Sequence, residues 1–173
     1  MTPVLDGAAL PPGYGTVNPF VVVRGPGGAP AFLRFVTDVL DGRETRAAHT
    51  VDADDLLIHA EIRVGGSTIM VCDAKPHWAS TPALFQVYVR DVDDVVVRAR
   101  AADAEVVTEP TPFHGGQRLA RLRNPWVAPR VRADSVAPSE GPDELPTWRP
   151  DPSAPPSSVH RTIDEALTAP ESE

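Results

Sequence analysis

The feature that most constrains this chain is an internal echo. Phe20-Val21-Val22-Val23-Arg24 opens a strand-then-helix pattern, and Gln86-Val87-Tyr88-Val89-Arg90 opens another 66 positions later. An amphipathic helical stretch follows each, and then segments that alternate like strands. Two βαβββ halves of roughly 55–60 residues each therefore predict one α+β domain built by duplication. A chain of 173 residues leaves room for that domain and for no second one of ordinary size.

The first half reads as follows. Asn18 to Arg24 is β-rich and ends at Gly25-Pro26-Gly27-Gly28. Phe32, Phe35, Val36, Val39 and Leu40 recur at three- and four-residue steps, which predicts a helix over 29–40 that stops near Gly42. Strands are predicted over 44–51, 57–64 and 68–73, the last two joined by a tight turn at Gly65-Gly66. The second half repeats the order. A strand over 84–90 precedes a helix over 92–102 with Asp91 as its N-cap. Closing strands are predicted over 105–109, 117–123 and 128–133, with Pro129 marking an edge or a bulge.

Both ends differ from this core. Residues 1–15 hold three prolines and three glycines without periodicity, and read as a flexible leading arm. The ordered domain is expected over 16–134. From 135 to 173, eight of 39 residues are proline, too little apolar surface to offset the entropy of ordering. Val159, Ile163 and Leu167 within that tail predict a short amphipathic helix over 158–169, placed to dock on the domain or on a second subunit.

Charge narrows the partners. The net charge of −8 and the absence of a Lys/Arg patch argue against nucleic acid and against an anionic membrane. No apolar run approaches the roughly 20 residues that span a bilayer, and the N-terminus lacks a signal pattern. The single cysteine, Cys72, fits a reducing cytoplasm and reads as a small core filler.

Specific runs now carry a resemblance. They are Val17-Asn18-Pro19-Phe20-Val21-Val22-Val23, His59-Ala60-Glu61-Ile62-Arg63-Val64-Gly65 and Ser67-Thr68-Ile69-Met70. In the second half they are Tyr88-Val89-Arg90-Asp91-Val92-Asp93 and Gly116-Gln117-Arg118 through Arg123-Asn124-Pro125-Trp126. In order and spacing this resembles the vicinal oxygen chelate superfamily of glyoxalase, bleomycin-resistance and dioxygenase proteins, in particular its PhnB-like branch. The resemblance implies paired βαβββ modules (the glyoxalase/bleomycin-resistance fold), each a curved sheet around a cavity, and a homodimer.

Metal-dependent members of that superfamily place His, Glu or Gln near the start of each module's first strand and on the final strand. The matching positions here are Asn18, Leu84 and Val131, of which Leu and Val offer no lone pair and Asn is a poor ligand alone. The family's closing Asp-Pro-Phe-Gly-x-x-Trp pattern becomes Asn-Pro-Trp-Val-Ala-Pro-Arg. No metal and no cofactor are expected, nor glyoxalase, dioxygenase or fosfomycin-transferase chemistry.

The residues left to carry function follow from alternation along strands. His59 and Glu61 share a face and form a candidate acid–base pair; a surface salt bridge is the plain alternative. Gln86 and Tyr88 share a face with Leu84, and Asn18 and Phe20 are their first-half counterparts, so these line the expected cavity. Trp78 and His114 lie in loops at its rim, and Arg118 matches the family's Gly-Asp-Arg turn although Gln117 replaces its Asp. So apolar a lining suits a small apolar or aromatic ligand held by few hydrogen bonds, or else simply fills the fold. Three functions compete: sequestration of such a ligand, cofactor-free isomerase, epimerase or cyclase chemistry through His59 and Glu61, and a partner role for the C-terminal tail.

Overall fold

The computed structural model describes residues 10–78, 83–113, 117–126 and 131–135. In the first half, β1 (Phe20–Val23) leads to α1 (Gly28–Leu40), then β2 (Arg43–Glu44), β3 (Thr50–Val51), β4 (Leu57–Val64) and β5 (Ser67–Asp73). The second half contributes β6 (Phe85–Val89), α2 (Val92–Ala101), β7 (Glu105–Pro112), β8 (Arg118–Arg123) and β9 (Val131–Ser135). The sheets run β1-β5-β4-β2, with β3 also on β4, and β6-β9-β8-β7. In each, the first strand lies parallel to the last and the remaining neighbours are antiparallel. The echo in the sequence is thus a repeated topology.

One face of each sheet is covered by its helix. Val21, Val23, Ala60, Ile62, Ile69 and Val71 join Phe32, Phe35, Val36 and Val39 of α1 in a cluster that continues into Val92, Val95, Val96 and Ala99 of α2. Phe32 and Leu33 are almost wholly buried, which contributes about 1.5–3 kcal/mol each. The halves also meet at polar contacts. Arg98 of α2 pairs with Asp41 at 3.0 Å. The Arg24 N–H donates to the Trp126 carbonyl, and the Trp126 indole donates to Pro26 at 2.6 Å while its ring lies 5.4 Å from that of Phe35. Asn124-Pro125-Trp126 therefore closes the second half onto the loop that opens α1.

The helices begin differently. Asp91 caps α2 locally, accepting the N–H groups of Asp93 and Asp94, as its position predicts. Gly27 gives α1 no side-chain cap. Asp73, at the end of β5, accepts the Ala29 N–H at 2.6 Å and the Leu57 N–H at 2.8 Å. Its carboxylate comes so close that a Cβ on Gly28, where φ is +56°, would sit 2.3 Å from Asp73 Oδ1.

Several expected boundaries shift. The strand expected over 44–51 is broken: β2 and β3 flank a 3-10 turn at Arg46–Ala48. Between Thr50 and Val51 the register on β4 advances from His59 to Leu57, a bulge at Ile58. That extra residue turns Leu57 into the core, against simple alternation with His59 and Glu61. The left-handed residue ending α1 is Asp41 rather than Gly42. Asp52 accepts from the Asp54 and Leu56 N–H groups and pairs with Lys75 at 2.8 Å. β7 runs on through Pro110 and Pro112, which an edge strand tolerates because one of its sides needs no ladder donor. The last strand is Val131–Ser135; Pro129, His114 and the helix expected over 158–169 lie outside the described residues. No helix among the described residues is long and apolar enough to cross a membrane.

Candidate functional site

Strand register decides which side chains share the face turned away from α1. Phe20, Met70 and Glu61 are lateral neighbours across β1, β5 and β4, and Val22 neighbours Cys72 in the adjacent row. Alternation adds His59, Arg63 and Thr68. Burial agrees, because the residues between them (Val21, Val71, Ala60 and Ile62) are in the helix-side core.

Glu61 is the polar centre of this open face. It is buried, yet both carboxylate oxygens have partners: Oε1 lies 3.3 Å from His59 Nε2, and Oε2 accepts the Tyr14 hydroxyl at 2.5 Å. The Phe20 ring stands 6.1 Å from His59, tilted by 44°. The hydrogen bond to Glu61 raises the Tyr14 phenol above its ordinary pKa, helped by burial and by the carboxylate's charge. The site therefore holds a neutral phenol against a carboxylate that also touches an imidazole. Such a trio can accept, hold or pass on a proton.

Tyr14 reaches Glu61 because residues 10–15 lie over the sheet. The Thr68 hydroxyl donates to the Gly13 carbonyl at 2.5 Å, and a Cβ on Gly13 would fall 2.6 Å from the Arg63 guanidinium carbon. Asn18 closes the segment behind Tyr14, accepting from the Gly15 N–H at 3.0 Å and donating to the Gly15 carbonyl at 2.7 Å. Nothing in the sequence around Tyr14 announces this role. Its partner is 47 positions away, and its neighbours are prolines and glycines.

In the second half, Leu84, Gln86 and Tyr88 are exposed together, and Gln86 Nε2 donates to the Tyr88 hydroxyl at 2.5 Å. Register places Leu119 and Arg121 on the same face; both are buried, and Arg121 donates to Thr108 Oγ1 at 3.3 Å. Sequence reasoning missed Arg121, since only the β6-β9-β8 register shows which way it points.

The structure thus brings His59, Glu61 and Phe20 together and sets Gln86 beside Tyr88. Asn18 is engaged in its turn. Arg118 is turned to the helix side, where its guanidinium grips Asp93 of α2 at 2.8 and 3.0 Å and donates to the Pro110 carbonyl. Trp78 lies in the loop after β5, its carbonyl taken by Arg24 and its ring edge-on to His77 at 6.4 Å. Burial pushes the Cys72 thiol up, reinforced by the charge of Asp73, which keeps it from acting as a thiolate.

The metal positions of the resemblance can be tested against these side chains. Asn18 spends both ends of its amide on Gly15, and Leu84 is hydrocarbon. Among the described residues no three His, Cys, Asp or Glu side chains are grouped to hold a metal ion. The donor set there does not fit a divalent cation.

Neither a protein-family model nor a curated protein matches the chain. Solved structures do. A glyoxalase/bleomycin resistance protein/dioxygenase family enzyme from Burkholderia phytofirmans PsJN superposes with a TM-score of 0.51 at 20% identity, over 70% of this chain and 96% of that one. TioX from Micromonospora sp. ML1 gives 0.49 at 18%, over 72% and 98%. The fosfomycin resistance protein FosX from Listeria monocytogenes gives 0.48 at 12%, over 70% and 92%. The Burkholderia match establishes the glyoxalase/bleomycin-resistance fold for this chain; at such identity it carries no activity with it.

Proposed function

We propose that this is a metal-independent small-molecule-binding protein of the vicinal oxygen chelate superfamily, from its PhnB-like branch, which sequesters an apolar or aromatic compound in the cytoplasm as a homodimer. The observation that carries the reading is the exposure of large apolar side chains on the open faces: Phe20 at 50%, Leu84 at 57% and Tyr88 at 60%. Water-exposed aromatic and aliphatic groups beside a few oriented polar atoms are what a hydrophobic ligand needs.

The test is native mass spectrometry with elemental analysis on untagged protein. A dimer that retains an aromatic compound without stoichiometric metal is expected. Ligand binding that requires a stoichiometric metal would overturn the reading. The 3.3 Å approach of His59 to Glu61 favours a second reading, cofactor-free isomerase, epimerase or cyclase chemistry. Turnover lost in His59→Ala supports that alternative; ligand retention unchanged in His59→Ala supports the binder.

A further inference from the structure

Glu61 presents an unusual demand. A carboxylate buried on a sheet face, with Met70 as its neighbour on β5, has lost water and needs donors in its place. His59 serves one oxygen. The other is served by Tyr14, whose backbone belongs to a segment of prolines and glycines that contributes no strand of its own. In residues 10–15, the Tyr14 hydroxyl and the Gly13 carbonyl are the groups that hydrogen-bond to strands β4 and β5. The Tyr14 N–H turns back to the Pro11 carbonyl instead. A segment tied to the sheet at two points opens at far lower cost than the sheet itself.

We propose that this site binds the hydroxyl of a small phenolic ligand, that Tyr14 occupies it as a built-in surrogate, and that the ligand enters by displacing Tyr14. This deepens the binding function proposed above and rests on it, because it names the ligand class at one of the open faces. When the arm lifts, Glu61 Oε2 faces the solvent without its donor, on the face that also carries Met70 and Phe20. An aromatic ring bearing an O–H restores both the charge-assisted hydrogen bond and the apolar contact. A hydrocarbon ring restores only the second. The raised pKa of Tyr14 shows that the environment favours the neutral phenol over the phenolate, so phenols ionised at the working pH are disfavoured.

The experiment uses the full chain and two probes, p-cresol, which reproduces the tyrosine side chain, and toluene, which lacks the hydroxyl. Removing an internal competitor raises apparent affinity by the inverse of the fraction of molecules in which the site is open. Tyr14→Ala is therefore expected to bind p-cresol about tenfold or more tightly than the wild type if the arm is closed nine-tenths of the time. Toluene entering the same site gains by the same factor, but should remain the weaker ligand in every variant, because it has no hydroxyl to donate to Glu61. Glu61→Gln added to Tyr14→Ala should reverse most of the gain for p-cresol. Tyr14→Phe, which keeps the ring in the arm, serves if the alanine variant fails to fold, and is expected to show a smaller gain of the same sign. Equal p-cresol affinity in the wild type and both Tyr14 variants overturns the proposal. Toluene bound as tightly as p-cresol in every variant would overturn the phenol assignment and leave the general binding function standing.

Discussion

The two halves share a topology and solve the same local problems by different means. Helix α2 is capped by its own neighbour, Asp91, whose carboxylate takes two N–H groups within three residues. Helix α1 begins in glycines and is capped from β5 by Asp73, 44 residues from Ala29. The open faces differ in the same way. The first is crossed by residues 10–15 and holds a buried carboxylate; the second presents Leu84, Gln86 and Tyr88 outward, with the buried Arg121 on the same face. Duplication conserves the frame, while the groups that end helices and line faces are set separately in each half.

That contrast can be broken first at the caps. Asp73→Ala would leave two buried N–H groups, those of Ala29 and Leu57, without their acceptor, at roughly 1–3 kcal/mol each. A total loss of about 2–6 kcal/mol is expected in urea unfolding; a loss below about 1 kcal/mol would mean that water or a shifted loop replaces the carboxylate. Asp91→Ala removes an exposed local cap and should cost about 1 kcal/mol. If the two variants prove equal, the distinction between long-range and local capping collapses.

The smallest effect sharpens the comparison of the open faces. In a Tyr88→Phe background, the absorbance titration of Tyr14 should have its midpoint above the ordinary phenol value of about 10. Glu61→Gln should bring it down, because the hydrogen bond to that carboxylate is the main cause of the shift. The sign follows from linkage. A group whose folded pKa is raised contributes stability that is complete below its unfolded pKa and disappears as pH rises through the folded value. The arm's bond to Glu61 is therefore present at neutral pH and is lost in alkali, when the phenol ionises. A midpoint unmoved by Glu61→Gln would remove Tyr14 from the site.

Much of the candidate site was legible because a strand imposes a period of two. His59 with Glu61, and Gln86 with Tyr88, needed no more than that. Arg118 shows the limit, since a matching motif could not reveal that Asp93 holds its guanidinium on the helix side. His114 and the helix expected over 158–169 lie outside the described residues.

The sequence by itself determined the duplicated βαβββ plan, the apolar stripes of both helices, the Gly65-Gly66 turn and the Asp91 cap. These depend on residues within a few positions of one another, where backbone geometry dictates which side chains meet. Only the tertiary structure decided that Ile58 bulges and sends Leu57 inward, that Asp73 caps a distant helix, and that Tyr14 meets Glu61 across 47 positions. Contacts at that separation depend on how strands are stacked and where a loop returns, and no local pattern encodes them.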